Sequence, residues 1–299
     1  MSLTSFRTAE SRPTAQTPAK VTIPGLLDKK LLHQPISALT AYDYASARLV
    51  DEAGLDVILV GDSLAMVMQG YENTLSITMD EMLLYTRGVR RAVRRALLVA
   101  DMPFASYITE QDALTNASRF LKEAGAEAVK LEGGLTRSPI IRRLVDAEIP
   151  VMGHIGLTPQ AVHRMGGYKV QGKTTDAAER LRADALALED AGCFSIVLEG
   201  VPRELARLIT ADLSIPTIGI GAGPDCDGQI LVLHDLLSLT FAPPAKFVRR
   251  YADLGSVIRE ALTHYKRDVE ARIFPSDAES YHLSSEARAF LSEPNAVSA

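Results

Sequence analysis

Four acidic residues stand where apolar runs stop. Asp62 follows DVILVG and precedes Ser63, Asp101 follows LLVA, Glu132 follows AEAVKL two residues after Lys130, and Glu199 follows FSIVL. Gathered at one point, Asp62, Asp101 and Glu132 would repel one another unless protonated or joined by a cation. Hard oxygen ligands around an open mouth favour Mg2+, with water and substrate completing its octahedron. Lys130 could hold an anionic substrate or balance the carboxylates. Glu199, away from the trio, suits a base that acts on substrate while a metal polarises another atom. Each residue also has a plainer reading. A single Asp or Ser after a strand serves turns and caps, and a lysine among acids makes a structural ion pair.

The elements that would position these side chains recur in one pattern. ISALTAYD, DVILVGDS, LLVADMPF, AEAVKLEGG, IPVMGHIGL, FSIVLEGV, IPTIGIGAG and GQILVLHDLL read as short buried strands. Stretches such as YASARLVDEAG, TMDEMLLYTRGVRRAVRRA, DALTNASRFLKEAG and TTDAAERLRADALALEDAG between them carry helical periodicity. Glycines after EA, DEA and EDA suit helix C-terminal caps. The economical fold is a (β/α)8 barrel, with a doubly wound open sheet as the alternative. Adjacent parallel strands lie roughly 4.8 Å apart, so strands two, three and four can bring three acids to one mouth. Lys130 and Glu132 share strand parity and so face the same side.

Other groups carry less chemistry. His154, in MGHIGLTPQ, is a polar contact or pocket residue at the end of strand five. GGYKVQGKT has the composition of a mobile lid, with Gly166, Gly167, Tyr168, Lys169, Gly172 and Lys173 as its candidate residues. There is no GxxxxGK[ST], and GIGAG lacks the full dinucleotide fingerprint. HExxH and the Gly-x-Ser-x-Gly elbow are also absent. Arg87, Arg91, Arg94 and Arg95 read as a solvated helix face or subunit contact rather than a nucleic-acid site, and Tyr42, Tyr44, Met66 and Met68 as packing.

The 299 residues suffice for one large α/β domain or two smaller ones. Thirty-two Lys and Arg against 37 Asp and Glu leave a net charge of -5, which gives no global attraction to nucleic acid or anionic membranes. No apolar run approaches the roughly 18 residues of a membrane span. Cys193 and Cys226 lack metal-ligand spacing and suit buried thiols in a reducing compartment, which predicts a cytoplasmic protein. The opening 20 residues lack a secretory apolar centre; their Ser, Thr and Arg leave organelle targeting as an alternative to a plain extension. The expected organisation is an N-terminal extension over 1–20, a catalytic barrel over 21–264 and a C-terminal segment over 265–299. AKFVRRYADLGSVIREALTHYKRDVEARIF reads as helical, and Phe274, Tyr281 and Phe290 as candidate latches in the polar tail that follows.

Over roughly residues 20 to 264 the chain resembles the ketopantoate hydroxymethyltransferase family. The resemblance rests on an ordered set: TAYDYASARLVDEAGLDVILVGDSLAMVMQGYENTLSITMDEM, VADMPFASY, VKLEGG, GHIGLTPQ, GGYKVQGKT, VLEGVP and IGIGAGPDCDGQILVLHD. It implies a (β/α)8 barrel, one Mg2+ per subunit and one-carbon transfer from 5,10-methylenetetrahydrofolate to a 2-oxo acid in pantothenate synthesis. Asp62 and Asp101 resemble direct metal ligands, and Glu132 resembles a third metal-shell acid reached directly or through water. Asp62, Ser63, Asp101 and Lys130 resemble oxo-acid contacts. Glu199 resembles the proton acceptor, and the Gly166-to-Thr174 loop a cover over the substrates. A homo-oligomer is implied as well. Two other classes stay open at this point: a metal-dependent oxo-acid lyase or phosphoenolpyruvate-mutase-like enzyme, and a barrel that binds without turnover.

Overall fold

Eight parallel strands close into a barrel in sequence order, described over residues 19–292 by a computed structural model. They are β1 (Ile36–Thr40), β2 (Val57–Val60), β3 (Leu97–Asp101), β4 (Ala128–Glu132), β5 (Val151–Gly156), β6 (Ser195–Glu199), β7 (Thr217–Ile220) and β8 (Gly228–Leu231). The β8–β1 pairing, with Ile36 opposite Gly228, excludes the open-sheet alternative.

Side chains of alternate residues fill the interior. Ile36, Ala38, Val57, Leu59, Leu97, Val99, Ala128, Met152, Val197, Ile218 and Ile230 form one cluster with Leu26 and Phe194. Full burial of such an aliphatic side chain stabilises by about 1.5–3 kcal/mol. Leu26 lies in an opening helix, Ile23–Leu31, started by the Thr22 side chain accepting from Gly25 N. The same parity carried upward determines what lines the mouth. Asp101 continues Leu97 and Val99, Lys130 and Glu132 continue Ala128, His154 continues Met152, and Glu199 continues Val197. The polar residues are the top layer of the stack whose lower layers are the apolar core.

Helices cover the outside with well-formed ends. Thr78 and Thr109 complete capping boxes with Glu81 and Asp112, at the starts of helices Met79–Arg90 and Glu110–Ala124. Gly125, with φ 72°, ends the second of these in the left-handed conformation. The helical layer is incomplete: residues 221–227 join β7 to β8 with no helix, and the helix directly after β8 is the single turn Leu233–Leu236. The Gly-Ala-Gly-Pro-Asp linker there has neither the length nor the residue types for a helix.

Two compact units divide the chain, one comprising residues up to 236 with 240–249, the other 237–239 with 250 onwards. In the second, helix Leu254–Glu270 runs across residue 264 without a break. Residues 245–253 are not helical as their composition suggests, because Asp253 caps the helix by accepting from Ser256 N at 3.2 Å. Phe274 packs edge-on against Tyr265, and Tyr281 is exposed. Residues 1–18 and 293–299 and the side chain of Phe290 lie outside the described residues. No described helix is long and apolar enough to cross a membrane.

Candidate active site

A cavity of about 100 Å3 at the C-terminal end of the strands is lined by Asp62, Ser63, Asp101, Lys130, Glu132, His154 and Glu199. Every strand-end residue singled out from the sequence therefore meets at one place. β2 and β3 are neighbours, which sets Asp62 beside Asp101, and Asp62 N–H donates to Asp101 Oδ2 at 3.2 Å. β6 stands four strands from β2 in a ring of eight, so Glu199 faces the aspartate pair from the opposite wall. Glu199 is held by a tight β5–β6 approach. Leu157 N–H donates to Glu199 O at 2.7 Å, and a Cβ on Gly156, whose φ is 96°, would lie 2.3 Å from that oxygen.

The charges here are buried and unequal. Asp62, Asp101, Lys130, Glu132 and His154 are all 5% exposed or less. Lys130 Nζ lies 2.7 Å from Asp101 Oδ1 and 3.8 Å from Glu132 Oε1. Burial, then the charges of Asp101 and Glu132, holds the Asp62 carboxyl well above its usual range. Burial also raises Asp101, although Lys130 beside it works the other way. Burial works against the charge on Lys130, and the three surrounding acids outweigh it and raise its pKa. Glu132 moves down despite burial, because His154 and Lys130 stabilise its charge. His154 bridges two strands, with Nδ1 3.4 Å from Glu132 Oε1 and Nε2 3.3 Å from Glu199 Oε2. Burial and Lys130 oppose a charge on His154, but these carboxylates prevail and shift it up to about 9.

These residues fit Mg2+. Asp101 Oδ1 and Glu132 Oε1 are buried and approached only by Lys130 and His154, at 2.7 Å for Asp101 and at 3.8 and 3.4 Å for Glu132. Two adjacent carboxylates that resist ionising together are a donor set that a divalent cation would relieve. Among the described residues no group of three or more His, Cys, Asp or Glu is arranged to hold a metal ion by itself. A Mg2+ here would take one or two carboxylates and complete its octahedron with water and substrate.

The lid candidates lie beside the mouth rather than in the cavity wall. Tyr168 is half-buried with its hydroxyl 3.6 Å from Met66 Sδ, and burial followed by the charges of Asp62, Glu199 and Glu132 raises its pKa. Gly166, Gly167 and Gly172 have φ values of 66°, 107° and 81°. Gly172 packs towards Leu205 and Leu181, and Gln171 Nε2 donates to Lys169 O. Lys169 and Lys173 have no ion-pair partner among the described residues.

Residues 20–277 match the family described as ketopantoate hydroxymethyltransferase. The chain belongs to the ketopantoate hydroxymethyltransferase family. Its sequence is 65% identical over 274 residues to the 3-methyl-2-oxobutanoate hydroxymethyltransferase of Koribacter versatilis (strain Ellin345), covering 91% of this chain and 93% of that one. It is 56% identical over 264 residues to the protein of the same name from Pelobacter propionicus (strain DSM 2379 / NBRC 103807 / OttBd1), covering 88% and 98%. Among solved structures it resembles phosphonopyruvate hydrolase in complex with oxalate and Mg2+, at TM-score 0.60 and 16% identity over 90% of this chain and 94% of that one. A 2,3-dimethylmalate lyase of the PEP mutase/isocitrate lyase superfamily is similar at TM-score 0.57 and 18% identity, over 90% of each chain. At such identities the likeness shows the barrel fold alone.

Three participants in this ketopantoate hydroxymethyltransferase-family site go beyond the sequence reading. Tyr42 is more than packing: its hydroxyl lies 2.8 Å from Ser63 Oγ. Gln160 and Tyr107 hydrogen-bond within the acidic cluster. The last residue of GHIGLTPQ and the Tyr of VADMPFASY were in view as parts of motifs, but nothing in their spacing showed that they would meet. Arg95 is not a solvated helix residue either. The helix ends at Arg90, and the Arg95 guanidinium donates to Gly54 O and Leu55 O at 2.7 Å each.

Proposed function

We propose that the chain transfers a hydroxymethyl group from 5,10-methylenetetrahydrofolate to 3-methyl-2-oxobutanoate, giving 2-dehydropantoate and tetrahydrofolate in pantothenate synthesis. The observation that carries the reading is the placement of Glu199 opposite the Asp62–Asp101 pair across a small cavity, in a chain 65% identical to a relative named for this reaction. A cavity of about 100 Å3 is on the scale of a small oxo acid rather than a folate, so the folate would approach from the lid side.

Asp62 and Asp101 would hold Mg2+ with Glu132 beside them; when bound, the ion stabilises negative charge developing on the keto oxygen of the substrate. Lys130 supplies the positive charge that receives the substrate carboxylate, with Ser63 as a neighbouring hydrogen-bond partner. Glu199 accepts the proton from C3. The electron pair left on that carbon forms the new C–C bond to the methylene of the folate; both methylene–nitrogen bonds break, water supplies the hydroxyl of the product, and the proton taken from C3 and the second proton of that water end on the two folate nitrogens. A carboxylate is a weak base, so the charge stabilisation at the keto oxygen is what makes proton transfer feasible. His154 lies within ion-pair distance of Glu199 and fixes the side from which it acts. The Gly166-to-Thr174 loop would keep bulk water out while the single water that supplies the hydroxyl is retained.

This reading also includes a cytoplasmic homo-oligomer. The exposed Val257, Ile258, Leu262 and Tyr265 of the C-terminal helix support self-assembly. The deciding test of function is turnover with the oxo acid, methylenetetrahydrofolate and Mg2+, omitting each in turn. All three omissions should abolish product, and turnover persisting after complete removal of divalent metal would refute the metal role. Calorimetric Mg2+ titration should show Asp62→Asn and Asp101→Asn weakened far more than Glu199→Gln.

A further inference from the structure

The segment GHIGLTPQ runs off the end of β5, and its last residue is buried among the acids although it lies outside the strand. The Gln160 amide has one orientation that satisfies its surroundings. Nε2 donates to Asp62 Oδ2 and to Met102 O, both at 2.9 Å, while Oε1 accepts from the Tyr107 hydroxyl at 2.5 Å. Turned over, the amide would set its oxygen against two acceptors. Tyr107 enforces the choice. Its oxygen accepts from Glu132 N–H at 3.3 Å, which leaves its own hydrogen for Gln160. The backbone N–H of Gln160 in turn donates to Glu132 Oε2 at 3.0 Å. One residue thus ties the acid after β2 to the acid ending β4.

We propose that Gln160, oriented by Tyr107, is a positioning residue that sets the direction in which Asp62 and Glu132 present their oxygens to a divalent cation. With Oδ2 of Asp62 engaged by the amide, Oδ1 is the oxygen left for a ligand. A carboxylate free to rotate spends less time aimed at the ion, and groups that orient metal ligands characteristically change affinity for this reason. The inference rests on the Mg2+ reading of the site and assigns it two residues with no direct contact to substrate.

Titration of Mg2+ alone into wild type, Gln160→Met, Tyr107→Phe and the double variant tests it, with circular dichroism as the folding check. Gln160→Met should bind Mg2+ roughly 10–100-fold more weakly, and Tyr107→Phe less severely so. Because the tyrosine acts largely through the amide, the double variant should lose less than the product of the two single losses. In turnover, Gln160→Met should need more Mg2+ and show a raised KM for 3-methyl-2-oxobutanoate, with kcat recovering at saturating Mg2+. Unchanged Mg2+ affinity in folded Gln160→Met, even with lowered stability, would reduce Gln160 to packing and overturn the proposal. If that variant does not fold, Tyr107→Phe decides alone: unchanged affinity overturns the inference and weakened affinity supports it. Wild type that binds no Mg2+ would instead remove the metal reading on which the inference rests.

Discussion

The two ends of the barrel handle buried charge in opposite ways. At the N-terminal end each acid has been given its partners. Asp51 accepts from the backbone N–H groups of Arg94, Arg95 and Ala96 at 2.7–3.1 Å. Asp56 pairs with Lys29 at 2.7 Å and accepts from Ser37 N, and Asp227 pairs with Lys30 at 2.8 Å and accepts from Thr217 N. At the mouth, Asp62, Asp101 and Glu132 share Lys130 and His154, and burial with like charge raises the carboxyls of Asp62 and Asp101. One end is electrostatically complete without help. The other keeps buried carboxyls in mutual conflict, as perturbed groups at functional sites often are.

The sharpest way to test that division is to remove the base and nothing else. Glu199→Gln should lower turnover by roughly 10²–10⁴-fold while keeping fold and Mg2+ binding, since its amide cannot accept the proton. Deuterium exchange at C3 of the oxo acid, with Mg2+ present and folate absent, should slow in parallel. Near-wild-type exchange and turnover would make Glu199 part of the pocket wall.

At the opposite end, Asp51→Ala should destabilise by about 2–3 kcal/mol, because it strands buried backbone donors. Mg2+ affinity should not move. Urea unfolding alongside calorimetry would show this, and a coupled loss of metal binding would erase the distinction between the ends.

A smaller effect of opposite sign belongs to the mouth. In metal-free solution Asp62→Asn should stabilise the fold by about 0.5–2 kcal/mol, since it removes a crowded charge while keeping the size of the side chain. Denaturant unfolding with a chelator present would measure it. A clear destabilisation would mean that the carboxylates are not in conflict.

The smallest effect is in pH. Burial alone would raise Asp56, but Lys29 and the Ser37 donors outweigh it and hold its carboxyl below the ordinary value. A depressed carboxyl contributes stability that is present above the unfolded pKa, near 3.9, and is lost as pH falls through the lower folded value. Asp56→Asn should therefore flatten the acid limb of the stability curve below about pH 4. An acid limb identical to wild type would show that the pair contributes nothing.

Much of this contrast was legible in the residues themselves. The strand-end acids could be found because an apolar run that must be buried also determines where its polar successor emerges. Lys130 and Glu132 could be aimed together because strand parity is local. The missing helix between β7 and β8 had a local signal too, in Gly221, Gly223 and Pro224. The Gln160 network had none. Its bonds to Asp62 and to Met102 span 98 and 58 residues, and its bond to Tyr107 spans 53.

The sequence by itself determined the periodic elements, the caps that start them, the acids at their ends and the family to which the chain is similar, because each depends on neighbours within a few residues or on ordered motifs. Only the tertiary structure decided that β8 closes on β1, that Glu199 faces Asp62 and Asp101, that His154 spans Glu132 and Glu199, and that one glutamine ties two acids together. Those contacts depend on where distant strands lie once the barrel has closed, and local periodicity carries no record of which remote side chains will share a hydrogen.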